Sequence, residues 1–76
     1  MNKQKIAKNL VENQLLKMNI DIESLVMVWS CYILGNSKYI FAVPSEGLMF
    51  EVTYNRERNA YYIDKYKKEE NSCYMP

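Results

Sequence analysis

The stretch Leu25–Leu34, LVMVWSCYIL, holds ten consecutive residues without a charge in a chain of 76, and only Ser30 interrupts its apolar character. It is rich in β-branched and aromatic residues, which fit a pleated surface. At about half the ~20 residues needed to cross a bilayer as a helix, it is too short for a membrane span. Both of its alternating faces are apolar, so it is expected to be a strand covered on both sides or paired in the middle of a sheet. A chain of this length buries only roughly 60 to 65% of its unfolded surface, so one small core must absorb that strand. A single domain over residues 1–76 is expected.

What could cover a sheet lies upstream. Between Lys3 and Met18, the residues Ile6, Ala7, Leu10, Val11, Leu15 and Met18 recur at three- and four-residue spacing, with Lys5, Lys8, Asn9 and Glu12 opposite. This is the period of an amphipathic helix. Asn2 can cap its start, and Asn19 can end it in the left-handed conformation that Asn tolerates. Two positions break the pattern. Gln14 falls in the apolar stripe and is expected to hydrogen-bond a strand backbone; Leu16 falls outside it and is expected to meet the following loop, unless a partner takes it.

Downstream, the pattern has period two. Gly35-Asn36 suits a tight hairpin turn, and Lys38–Val43 follows as a second strand. Pro44 to Gly47 forms a turn, because Pro44 cannot donate to a ladder. The alternation is cleanest from residue 48 to 54: Leu48, Phe50, Val52 and Tyr54 face one way, Met49, Glu51 and Thr53 the other. NRERN turns the chain again. The fourth strand, 60–67, sends Tyr61 and Ile63 inward and Tyr62, Asp64 and Tyr66 outward. Residues 68–76 form a polar tail, with Ser72–Met75 a candidate for a short fifth strand. The expected fold is α+β: an N-terminal helix packed on one face of a four-stranded antiparallel β-meander, in sequential order because consecutive strands tend to neighbour each other.

Chemistry-bearing residues are sparse. There is no His, which removes the commonest base and metal ligand. Cys31 reads as a small core residue and Cys73 lies in the tail; the two are too few for a disulfide framework, and both are expected reduced. Glu51 and Asp64 face each other across neighbouring strands and form the one acid pair worth naming, a solvated pair flanked by Lys65 and Lys67. The two glycines lie at separate turns, so no phosphate-cradling loop exists. No enzyme activity, cofactor or metal is expected. Charge is weakly polarised: residues 1–19 carry four lysines against Glu12, residues 20–54 only Lys38 against four acids, and the net charge is +1. The N-terminus is basic but lacks the apolar core of a signal peptide, so a cytoplasmic location without membrane attachment is expected.

Val28-Trp29, Gly47, FEVTYN at Phe50–Asn55, YIDKYKK at Tyr62–Lys68, and Asn71 with Cys73 together resemble a family of short uncharacterised proteins of phages and prophages of Gram-positive bacteria. The likeness runs over roughly residues 26–73 and does not reach the helix. One departure is Ser37, where that family has an aromatic residue. The resemblance implies a phage or prophage origin and supplies no activity.

With that origin and without catalytic groups, the expected function is to bind and occlude a bacterial host protein, such as a defence nuclease of the CRISPR effector type. Clustered tyrosine and arginine make a plausible contact patch, and the residues expected to carry it are Met49, Glu51, Arg56, Arg58, Tyr62 and Tyr66. The bland alternative is that Tyr62 and Tyr66 merely cover a small sheet. Two other functions compete. Aromatics on an open sheet, with Arg56, Arg58, Lys65, Lys67 and Lys68, could bind single-stranded nucleic acid, although interspersed acids oppose it. Burial of the apolar first strand between two copies would make a homodimer, as in a self-associating structural phage component.

Overall fold

A computed structural model describes residues 2–75. The chain runs helix α1 (Lys3–Lys17), a 3-10 turn at Ile22–Ser24, strand β1 (Val26–Ile33), strand β2 (Asn36–Val43), a 3-10 turn at Pro44–Glu46, strand β3 (Leu48–Asn55) and strand β4 (Ala60–Lys67). The strands form one antiparallel sheet in the order β1-β2-β3-β4, and α1 lies on one of its faces. This is the α+β meander expected from the periodicities.

Both ends of the helix follow from its asparagines. The Asn2 side chain accepts from the backbone N–H groups of Gln4 and Lys5 at 2.9 and 3.2 Å, satisfying donors that have no partner within the helix. At the other end Asn19 takes φ 60°. There the Ile20 N–H reaches back to the Leu15 carbonyl at 2.9 Å and the Asn19 N–H to Leu16 at 3.1 Å, a Schellman arrangement. Lys3 Nζ lies 5.0 Å above the Tyr54 ring and ties the first turn to the sheet.

The core is one layer between α1 and the middle of the sheet. Ala7, Val11 and Leu15, each one helical turn apart, are fully buried against Tyr39, Phe41 and Val43 of β2 and Leu48, Phe50 and Val52 of β3. Ile20, Ile22, Tyr61 and Ile63 close its margins. Gln14 is half-buried, with no side-chain hydrogen bond to a strand among the described residues, and Leu16 is exposed rather than packed on the loop after the helix. Tyr61 stacks at 4.8 Å on Tyr54, whose hydroxyl donates to Asn59 Oδ1 at 2.8 Å.

Several expectations are corrected. β1 is not covered: it pairs with β2 on one side only, and Val26, Met27, Val28, Trp29, Tyr32 and Ile33 are all exposed. Cys31 is half-exposed, not a core residue. The β1–β2 turn is Leu34-Gly35, not Gly35-Asn36: Ile33 pairs with Asn36, and the two residues between have φ 51° and 86°, as a two-residue hairpin of type I′ requires. Residues 68–75 carry no strand. Ser37 points toward the helix side and is buried, and its hydroxyl has no hydrogen-bond partner.

Three stability tests follow from these positions. Leu34 is 84% exposed and held in the left-handed region, which costs a branched residue about 1 kcal/mol, so Leu34→Asn should raise unfolding free energy by roughly that amount in a urea titration. Ser37→Ala removes an unpaired buried hydroxyl and should likewise be neutral to stabilising, by about 1 kcal/mol. Partial burial pushes the Tyr61 phenol above its ordinary 10.0, with Tyr54 and Tyr39 adding in the same direction. A group whose pKa is raised on folding stabilises below its unfolded pKa and loses that contribution as pH climbs through the folded one. Stability should therefore fall above pH 10, and Tyr61→Phe should flatten the fall in a pH series of thermal melts.

Candidate functional site

The face of the sheet opposite α1 is set by register. Directly paired residues of antiparallel strands project to the same side, so the ladder sorts this face into cross-strand rows. The first row is Val26, Ala42, Met49 and Tyr66; the second is Trp29, Ile40, Glu51 and Asp64; the third is Cys31, Lys38, Thr53 and Tyr62. Ile33, opposite Asn36, ends the β1 side. Among the described residues no helix or strand lies over this face.

The rows form an L. One arm is the first row, apolar or aromatic from β1 to β4. The other runs down β1 through Trp29, Cys31 and Ile33, where a shallow depression of about 280 Å³ opens beside Lys38 and Thr53. A second groove, about 470 Å³, lies at the end of the first row between Met49, Tyr66 and Lys68. In the angle of the L sit the charges. Lys38 Nζ is 3.2 Å from Glu51 Oε1, and Asp64 pairs in register with Glu51.

The sequence-derived site residues are thus only partly brought together. Met49 and Tyr66 are direct cross-strand neighbours, and Glu51 stands in the next row. Tyr62 is four residues from Tyr66 along β4, roughly 13 Å away, with Asp64 between them. The two arginines diverge from the face. Arg56 turns back to the β1–β2 hairpin: its backbone N–H donates to Asn36 Oδ1 at 2.9 Å, and a Cβ at Gly35 would collide with its side-chain Cδ. It lines a cleft of about 360 Å³ with Leu34, Asn55 and Glu57, so it joins the two hairpin ends. Arg58 stays in the exposed loop, where its N–H donates to Asn55 Oδ1 at 3.1 Å. Glu51 takes its cation from Lys38 on β2, not from Lys65 or Lys67, which pair with Phe50 and Leu48 and so project to the helix side.

Trp29, Ile33 and Val26 belong to this face and were missed because an uncharged two-sided strand reads as an interior one. The signal that would have found them is position: the first strand of a sequential meander is necessarily an edge. No group of three or more metal-ligating side chains occurs among the described residues, and the acid pair Glu51 and Asp64 lies on an open surface rather than in a cleft. No helix is long and apolar enough to cross a membrane.

No curated protein and no solved structure matches the chain. The match to a family model, by contrast, takes in α1 as well as the sheet, beyond the 26–73 span of the motif likeness. It covers residues 1–76, and on that full-length match the chain belongs to the family of unknown function DUF6275.

Proposed function

We propose that this protein works without catalysis, by seating its open sheet face on another protein and occluding that protein's working surface. The observation that supports this most directly is the row Val26, Ala42, Met49 and Tyr66, apolar across the whole width of a face over which no helix or strand lies among the described residues. Contiguous exposed apolar surface of this kind, rimmed by charge, is characteristic of protein interaction sites. Trp29 and Tyr66 supply large, rigid contact area of the type that dominates binding energy, while the Lys38–Glu51 pair and Asp64 supply a polar rim that fixes orientation.

The partner class is a bacterial host protein, with a defence nuclease such as a CRISPR effector as the specific candidate. The support is the resemblance of residues 26–73 to phage and prophage proteins, together with the small size of the chain. Single-stranded nucleic acid is the weaker alternative. The only lysine in the three rows is neutralised by Glu51, and Asp64 places a second acid in the row through which a phosphate backbone would run.

A tagged protein retained on resin from a host lysate should hold one partner at 1:1 stoichiometry. With that partner purified, Met49→Ala combined with Tyr66→Ala should weaken binding by about 2 kcal/mol, near 30-fold, in calorimetry. Recovery of no stoichiometric partner, or unchanged affinity of the double variant, would sink the proposal; so would tight binding of single-stranded DNA or RNA at low salt.

A further inference from the structure

The two free edges of the sheet are built differently. β4 carries Asp64, Lys65 and Lys67, the charged residues with which edge strands discourage pairing. β1 carries no charge from end to end, and the nearest charged residues are Glu23 and Lys38. Among the described residues its backbone groups on the side away from β2 have no strand partner and neither face is covered, because α1 lies over β2 and β3. An extra residue at Val28 interrupts the register between Met27 and Trp29, but Trp29 to Ile33 pairs regularly with β2 and is straight enough to template another strand.

We propose that β1 pairs with β1 of a second copy, antiparallel about a two-fold axis normal to the sheet, so that two four-stranded sheets become one continuous sheet with both helices on the same side. The occupant is argued from self-complementarity. A two-fold interface sets each strand against itself, so any charge would meet its own like; an uncharged strand has none to repel. Centred on Cys31, the regular segment places Trp29 opposite Ile33 of the second copy on the open face, and Ser30 opposite Tyr32 of the second copy on the helix side. Each Trp–Ile contact is an aromatic–β-branched pair, a favourable cross-strand combination, and the symmetry makes two of them.

Exposure agrees with an open edge: Val26, Met27, Val28, Trp29, Tyr32, Ile33 and Leu34 are between 44 and 84% exposed. Pairing would cover the edge and the adjoining parts of Trp29, Tyr32 and Ile33 and leave both faces of the enlarged sheet accessible. The two helix-side tracts of β1 would meet in the gap between the helices. This pairing uses the β1 edge, not the Met49–Tyr66 end of the open face, and is independent of which host protein that face binds.

Sedimentation equilibrium of the full chain at micromolar concentration should give twice its mass of 9.1 kDa. Hydrogen exchange should show concentration-dependent protection within Trp29–Ile33. Ser30→Lys places a charge at an exposed edge position without touching the core, and should weaken the dimer at least about tenfold while leaving the circular dichroism spectrum unchanged. Met49→Ala with Tyr66→Ala should leave dimerisation intact. A wild-type monomer throughout the micromolar range would overturn the pairing, as would a Ser30→Lys dimer as tight as wild type. Loss of the dimer in the Met49/Tyr66 variant alone would assign self-association to the open face instead. Protection of Trp29–Ile33 only after adding a captured host partner would give the edge to that partner and equally overturn it.

Discussion

One helix has to cover four strands, and it cannot. A helix is about 10 Å across with its side chains, while four strands spaced ~4.8 Å apart span roughly 14 Å between the outer axes alone. The buried stripe of α1 is one residue wide, Ala7, Val11 and Leu15, so it seals the two central strands and leaves both outer strands half-open. The exposure of both outer strands follows from that shortfall. β4 meets it with charge at Asp64, Lys65 and Lys67, whereas β1 stays apolar on both faces.

The strength of the central layer lets the periphery be so exposed. Phe41, Phe50, Val43 and Val52 are sealed, the helix is capped at both ends by asparagine chemistry, and three short connections hold the register. Arg56 adds a brace between the two hairpins that end on the same side of the sheet, through Asn36 and over Gly35. That brace takes an arginine out of the contact face, while Leu34, in a left-handed position that Asn or Gly would occupy more easily, projects apolar surface at the same end.

The open face and the β1 edge are the two apolar surfaces left uncovered among the described residues. The charges of the open face are few, Lys38 paired with Glu51 and Asp64 beside them in register. If the sheet doubles through β1, the open face doubles with it, and Trp29 moves from the margin of one copy to the middle of a two-fold surface. Membership of the DUF6275 family extends over the helix as well as the sheet.

Local periodicity determined much of this. The 3.6-residue spacing of Ala7, Val11 and Leu15 dictated a helix with one buried stripe, and strict alternation from Leu48 to Tyr54 dictated which side of β3 is core; Tyr61 and Ile63 against Tyr62 and Tyr66 followed by the same rule. The turns were legible in Pro44, Gly47 and the asparagines, except that the first hairpin closes one residue earlier than its Gly-Asn dipeptide suggests, because a leucine accepts the left-handed position. What a local pattern cannot carry is which strand stands at an edge and how far a helix reaches. An apolar run looks the same whether neighbours cover it or not, so Trp29 and Ile33 read as interior, and a tyrosine, an arginine and a glutamate near in sequence read as one patch. Only the assembled sheet separates them: strand order leaves one side of β1 unpaired, register sets Met49 beside Tyr66 and Thr53 beside Tyr62, and the packing of two hairpin ends draws Arg56 away.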